Sequence, residues 1–390
     1  MRSVVRIVVI VVLFTILILT EGCSRDNNEI SDIALNTAVA IDYDIKSKKY
    51  TFTTYCVLPL NTGQEKTGAF TQWITSETGS TLLEAGKKMR SHAGKNVIFQ
   101  HNKFFIVGED AARYSLYGVL DYLTRKREFR VTSFLIISKG QASDKLKLKT
   151  ESGDIISNDL LGQIRNNKLL GHSSPIIIKD FVNLFQNPYR GFVTASLGLK
   201  QSQAKSKDVP ILSGGALLYK EKLVGWLNGK DVLVVNILTN RKIWRNLEFP
   251  ENIELASGLH FTSVFHVSSS EIHSEFRNGS PVIRVSMKLN AAVESVNQDT
   301  KVLDAAKINQ MEKAASDHIE KAITTSLSHF QKDLKIDIIG FSNVLRQHHP
   351  KEWKVIQKEW DNIYPIMPIQ THVSVKIQRA GMTTSIGGRD

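Results

Sequence analysis

Cysteine is nearly absent from this 390-residue chain, which has only Cys23 and Cys56. Two thiols cannot supply a structural zinc cage or a disulfide framework. Cys56 lies in the β-prone run Tyr50–Leu58, where a buried structural thiol is expected. Carboxylates are also short: 38 Asp and Glu face 50 Lys and Arg, a formal charge of +12. Long apolar runs are missing too, since none reaches the roughly 20 residues that cross a hydrocarbon core. Internal repeats, low-complexity stretches and a Gly-x-Ser-x-Gly nucleophile elbow are absent as well. What remains, 42% hydrophobic and 23% charged, is ordinary globular composition.

The N-terminus is the most informative segment. Arg2 and Arg6 precede an uncharged stretch, Ile7 to Leu19, with the length of a signal-peptide core. Thr20-Glu21-Gly22-Cys23 follows, and the Gly22-Cys23 pair resembles the bacterial lipobox. That resemblance implies cleavage after Gly22 and a diacylglycerol on the Cys23 thiol. Thr20 stands where Leu is usual, and Glu21 is an uncommon neighbour. Residues 1–22 are therefore expected to be a lipoprotein signal peptide, and residues 24–390 to lie outside the cytoplasm. Loss of Arg2, Arg6 and Glu21 leaves +11 on the mature chain. For an exported protein nucleic acid is not an expected partner. An anionic lipid surface is one, and a merely solvated basic surface is the alternative.

The mature length exceeds what one hydrophobic core supports, so two or three domains are expected. Ile33–Ile41 and Tyr50–Leu58 read as a hairpin, and Thr81 with Glu84 as a capping box opening a helix. Val97–Phe99, Phe104–Val107 and Val131–Ser138 read as short strands. Glu109 to Arg125 reads as one helix, and Pro175–Gln186 as another with Pro in its first turn. The polar stretch 201–210 reads as a linker between residues 23–200 and 211–390, with a further division near 250–260. Beyond it come a short hairpin around Lys220-Glu221-Lys222 and two long strands around Asn278-Gly279. A helix from Val302 to Lys332, one with Trp353 and Trp360, and an alternating strand Ile369–Ile377 complete the reading. Long antiparallel strands with grouped helices predict an α+β architecture with mixed and antiparallel sheets.

No catalytic constellation emerges, and neither a metal site nor a cofactor is expected. Gly79 to Lys88 has the wrong glycine spacing for a phosphate loop. His348-His349, and His318 with Glu320, lack the spacing of a helical zinc pair. His101-Asn102-Lys103 is either a polar binding spot or a satisfied turn. Asp42 and Asp44 read as turn residues. Trp226, Trp353 and Trp360 could stack on a ligand, although core packing suits their spacing better.

Several stretches in order resemble the Ger(x)C family, the lipoprotein C subunits of spore germinant receptors. They are Gly22-Cys23-Ser24-Arg25-Asp26 with Glu29–Ala34, then Thr81–Ala85, His101-Asn102-Lys103, Val107-Gly108-Glu109, and Leu120-Asp121 with Arg125 and Arg130. Gly214-Gly215-Ala216 to Leu227, then Asp337–Phe341, Pro350, Trp353 and Trp360 follow. Ser24 departs from the family's usual aromatic. The resemblance implies three consecutive α/β domains and a non-enzymatic subunit on the outer face of the spore's inner membrane. It implies integral-membrane A and transporter-like B subunits as partners, and a response to small nutrients. It leaves direct germinant binding by this chain open. Only Cys23 carries over as a functional position. The competing reading is a solute-binding lipoprotein serving a transporter, which would need two lobes around a hinged cleft.

Overall fold

The computed structural model describes residues 32–58, 71–202, 207–296 and 305–379. The architecture is α+β, built on two sheets. The first opens with β1 (Ile33–Asp44) and β2 (Lys49–Leu58), an antiparallel hairpin in which Asp44 pairs with Lys49. Asp44 fixes its turn by accepting from Lys46 N at 2.9 Å and Ser47 Oγ at 2.8 Å. Then follow β3 (Thr71–Gly79), α1 (Leu82–His92), β4 (Asn96–Ile98), β5 (Phe104–Val107), α2 (Glu109–Tyr114), α3 (Leu116–Arg125) and β6 (Phe134–Ser138). The remainder is α4 (Ala142–Leu146), α5 (Ile156–Leu170), β7 (Ile176–Ile177), α6 (Ile178–Phe185), β8 (Phe192–Gln201), β9 (Asp208–Tyr219) and β10 (Lys222–Leu227).

These ten strands form one sheet in the order β10-β9-β8-β6-β5-β1-β2-β3, with β4 on β1 and β7 on β6. Its centre, β1-β5-β6-β8, is parallel. Helices cover both faces, as parallel strands require. Leu82, Met89, Leu116, Leu120 and Phe181 of α1, α3 and α6 pack on one face. Leu146, Ile156, Leu160 and Ile164 of α4 and α5 pack on the other.

The second sheet is β11 (Phe249–Glu254), β12 (His260–Arg277), β13 (Ser280–Val296) and β14 (Ile369–Arg379), in that order. Asn278 and Gly279 turn the long hairpin with φ of 50° and 79°, the left-handed values that an Asn-Gly turn supplies. Between β13 and β14 run α8 (Ala305–Ser328), α9 (Phe341–His348), α10 (Pro350–Ile356) and α11 (Trp360–Ile363). Met311, Ala315, Ile319, Ile323 and Leu327 of α8 bury the expected stripe.

Helix α7 (Gly229–Thr239) joins the sheets. Val232 to Val235, Ile237 and Leu238 are all buried, as are Asp231 and Asn236, so the helix is buried all round and fits only in an interior. It packs on β9 from one sheet, and on α8 and β12 from the other.

The ends of the stretch 201–210, expected to link two domains, pair within the first sheet, Gln201 with Asp208 and Leu199 with Pro210, and residues 203–206 lie outside the described ones. The sheets change after Leu227. Other expectations need correction. The helix expected over Glu109–Arg125 breaks at Ser115, whose φ of −170° and ψ of 124° are extended. Phe99 belongs to a 3-10 turn rather than a strand. Strand β6 starts at Phe134, after a turn in which Ser133 N bonds Arg130 O at 3.0 Å. Pro175 precedes β7 rather than opening a helix. The last turn of the helix expected to reach Lys332 widens into a π-turn at His329–Asp333.

Candidate functional site

Gly22 and Cys23, the expected cleavage and lipid-attachment positions, lie outside the described residues. The other sequence candidates are structural. Cys56 is buried in β2, where burial pushes its thiol up to about 11. Asn102 is buried and donates to Asn36 Oδ1 at 2.8 Å and Phe104 O at 3.1 Å, while its own Oδ1 has no hydrogen-bond partner among the described residues. Thr81 caps α1, accepting from Glu84 N at 3.1 Å, and the Glu84 carboxylate reaches back to Ser80 N at 2.8 Å. His349 donates to Ser274 O at 2.8 Å, and His318 sits 3.3 Å from Glu251. Among the described residues no three His, Cys, Asp or Glu side chains are grouped to hold a metal ion. Trp353 and Trp360 pack edge-on at 5.3 Å in the core, while Trp226 is half-buried with Lys139 over its ring.

In open parallel sheets ligands bind beyond the carboxyl ends of the strands. Here that edge is filled by the chain itself. Asp42, 7% exposed at the end of β1, accepts from Ala142 N at 2.7 Å and Ser143 N at 2.9 Å. It thereby satisfies free N–H groups at the start of α4. Gly108 leaves room for it, since a Cβ there would lie 2.1 Å from Asp42 Oδ1. Glu109 accepts from Gly140 N at 3.1 Å and pairs with Arg113 at 2.8 Å. Asp42 was expected to be a turn residue like Asp44; its partners lie about a hundred positions away, beyond the reach of local pattern.

The junction between the two sheets is the most polar buried region. Asp337 Oδ1 accepts from Gly340 N at 2.8 Å and Phe341 N at 2.9 Å, and Oδ2 accepts from Ser342 N at 2.8 Å, capping α9. Burial raises the Asp337 carboxyl above its usual range, opposed by those N–H donors and by the charge of Arg190. Arg190, itself lowered by burial, donates to Ile338 O at 3.1 Å and packs over Gly340, whose φ is +87°. Gly191 N donates to Asp337 O at 3.0 Å. Asn187 bonds Asn343 at 2.8 Å, Tyr189 meets Trp353 edge-on at 5.2 Å, and Lys220 pairs with Asp361 at 2.7 Å. The segment before β8 and the β9–β10 turn are thus fastened to α9, α10 and α11. A sequence signal existed only at Asp337, three residues before Gly340 and a helix start.

A third buried carboxylate lies between α7 and α8. Asp231 accepts from Ser326 Oγ at 2.7 Å and Asn228 Nδ2 at 2.9 Å, with His329 Nδ1 3.3 Å away. Beside it lies a cavity of about 430 Å³ lined by Leu233, Ile237, Phe249, Ile319 and Ile323. Lys230, Glu251, His318 and Lys321 also line it, and its one buried carboxylate already has three partners. No described helix is long and apolar enough to cross a membrane.

Two family descriptions match the chain in succession. "Spore germination protein N-terminal domain" covers residues 26–198, and "Spore germination B3/GerAC like, C-terminal" covers residues 213–381. Their junction falls in the β8–β9 hairpin. The putative spore germination protein YfkR of Bacillus subtilis is 24% identical over 94% of this chain and 95% of its own length. Spore germination protein KC of the same organism is 24% identical over 96% and 95%. The crystal structure of the GerBC protein superposes with a TM-score of 0.57 at 18% identity, over 87% of this chain and 97% of that one. The fold is therefore one already seen in that structure.

Proposed function

The chain belongs to the spore germination B3/GerAC-like family, and from that premise we propose that it is the lipoprotein C subunit of a spore germinant receptor. One observation carries the reading: both family domains occur in order, and the likeness to germination proteins runs over nearly the whole chain. In this reading the signal peptide is removed after Gly22. Cys23 is then acylated at its thiol and amino group, tethering the domains to the extracytoplasmic face of the spore's inner membrane. The chain works without catalysis, through contact with integral-membrane A and B subunits. At the carboxyl edge of the parallel strands Asp42 and Glu109 are spent on hydrogen bonds within the chain, which fits a scaffold.

Deleting the gene should abolish the response to one germinant class and leave sporulation intact. Cys23→Ala should release the protein from spore membranes and impair the same response. Full germination of a Cys23→Ala strain, with the protein still in the membrane fraction, would overturn the tether. Complementation by the wild-type gene controls for polar effects.

A further inference from the structure

Strands β1, β4, β5 and β6 are parallel, so their N-terminal ends share one rim of the first sheet. The described chain begins on this rim, at Asp32 and Ile33. The loops along it are bound together: Phe134 N donates to Lys103 O at 2.9 Å, Ser133 Oγ to Asn102 O at 2.9 Å, and Lys179 N to Val131 O at 3.0 Å. Lys95, Lys103, Lys126, Arg127, Arg130 and Lys179 stand around it. Among the described residues of these loops the carboxylates are Asp32, Asp180 and Glu128, the last held by Arg90. Val131 adds an apolar side chain, 49% exposed, among the cations.

We propose that this rim is the face the protein lays against an anionic lipid surface, a step that rests on the Cys23 tether. Charge alone does not select it, because the opposite end of β1 carries Lys46, Lys48 and Lys49. Reach does. The nine residue steps from Cys23 to Asp32 span at most about 32 Å when fully extended. The twelve residues of β1 put its far end roughly 36 Å beyond Ile33. With the sheet upright, only the rim can stand within the screening distance of about 8 Å at which lipid charge acts. Each Lys or Arg held there should favour the docked arrangement by about fivefold.

The test uses the full lipidated chain in vesicles with nitroxide-labelled headgroups, and a fluorophore on Val131→Cys or Ile45→Cys. Cys56 is buried with a raised thiol and does not compete for label, and Ile45 is 61% exposed at the opposite end. Quenching should be severalfold stronger at position 131 than at 45 in phosphatidylglycerol vesicles. The contrast should fall in phosphatidylcholine, and again at about 1 M salt, where screening shortens to about 3 Å. Arg127→Gln, Arg130→Gln and Lys179→Gln together should abolish the dependence on anionic lipid. Lys46→Gln, Lys48→Gln and Lys49→Gln, an equal charge loss at the other end, should leave it intact. Retention on vesicles with equal quenching at both positions overturns the rim, including the case where it faces a protein partner. Failure of the chain to stay on neutral vesicles overturns the tether instead. The rim is then decided on anionic vesicles alone, kept by retention with the 131-over-45 contrast and rejected without it.

Discussion

In the first sheet, Ile136 and Ile137 are neighbours on β6 and both fully buried, one in each of two cores. In the second, Met287 on β13 is buried while Lys288 beside it is exposed. The first sheet is sandwiched between helical layers, whereas the second turns one face to α8 and the other largely to solvent. The consequence is unequal tolerance: every central position of β5 and β6 is a core position, but only alternate positions of β13 and β14 are. A surface free to change or to meet partners is therefore available on the open face of the second sheet and at the ends, not the faces, of the first.

The strongest coupling of the two regions is the Asp337 cap, and removing it is the largest way to break the comparison. Asp337→Ala leaves three buried backbone N–H groups without their acceptor and removes the negative charge near Arg190. Each buried donor left unsatisfied costs about 1–3 kcal/mol. Denaturant unfolding should show that loss, together with separate transitions for the two sheets. A single unshifted transition would show that α7 alone holds them together.

Next come the neighbours within each sheet. Ile136→Ala and Ile137→Ala should each cost about 2–5 kcal/mol, and so should Met287→Ala. Lys288→Ala should stay within about 0.5 kcal/mol, as surface changes do. If Ile136→Ala proved as mild as Lys288→Ala, the two-sided burial of the first sheet would be wrong.

Asp42→Ala is a smaller test, confined to the first sheet. Loss of a helix cap costs about 0.5–2 kcal/mol, and amide exchange at Ala142 and Ser143 should accelerate while β13 is unaffected.

The same contrast explains what the sequence made legible. On the one-sided sheet, alternation exposes each strand directly: Ile369, Thr371, Val373 and Val375 mark β14, and Asn278-Gly279 marks the turn where Arg277 pairs with Ser280. On the two-sided sheet, burial erases the period. The run Val232–Leu238 is buried on every side and apolar except for Asn236, so α7 gives no helical pattern although it is the helix that joins the halves. Edge strand β3, Thr71-Gln-Trp-Ile-Thr-Ser-Glu-Thr-Gly79, is too polar to stand out. The proposed tether at Cys23 rests on a lipobox-like pattern, which is local. The contacts of Asp42 and of Arg190 with Ile338 were not readable, because each is completed by residues a hundred or more positions distant.

The smallest expected effect is at the rim of the junction, where Tyr219 and Lys220 of the β9–β10 turn meet Asp361 of α11, both at 2.7 Å. Partial burial works to raise the Asp361 carboxyl, but the hydrogen bonds from Lys220 and Tyr219 outweigh it and hold the group below its ordinary 3.8. The hydrogen bond to Asp361 holds Lys220 above 10.5. A depressed carboxyl stabilises the fold above its unfolded value, and that stability is lost as pH falls through the folded one. A raised ammonium stabilises below its unfolded value and is lost as pH climbs through the folded one. The contact should therefore be complete between 3.8 and 10.5 and fade outside that window. Because Lys220 and Asp361 are 56% and 57% exposed, the pair should be worth only about 0.2–1 kcal/mol. The stability difference between wild type and Asp361→Asn, followed by urea midpoint, should be flat through neutral pH and shrink below 3.8. A difference that grew on acidification would mean that Asp361 is held neutral in the folded protein, and that the two sheets meet here without an ion pair.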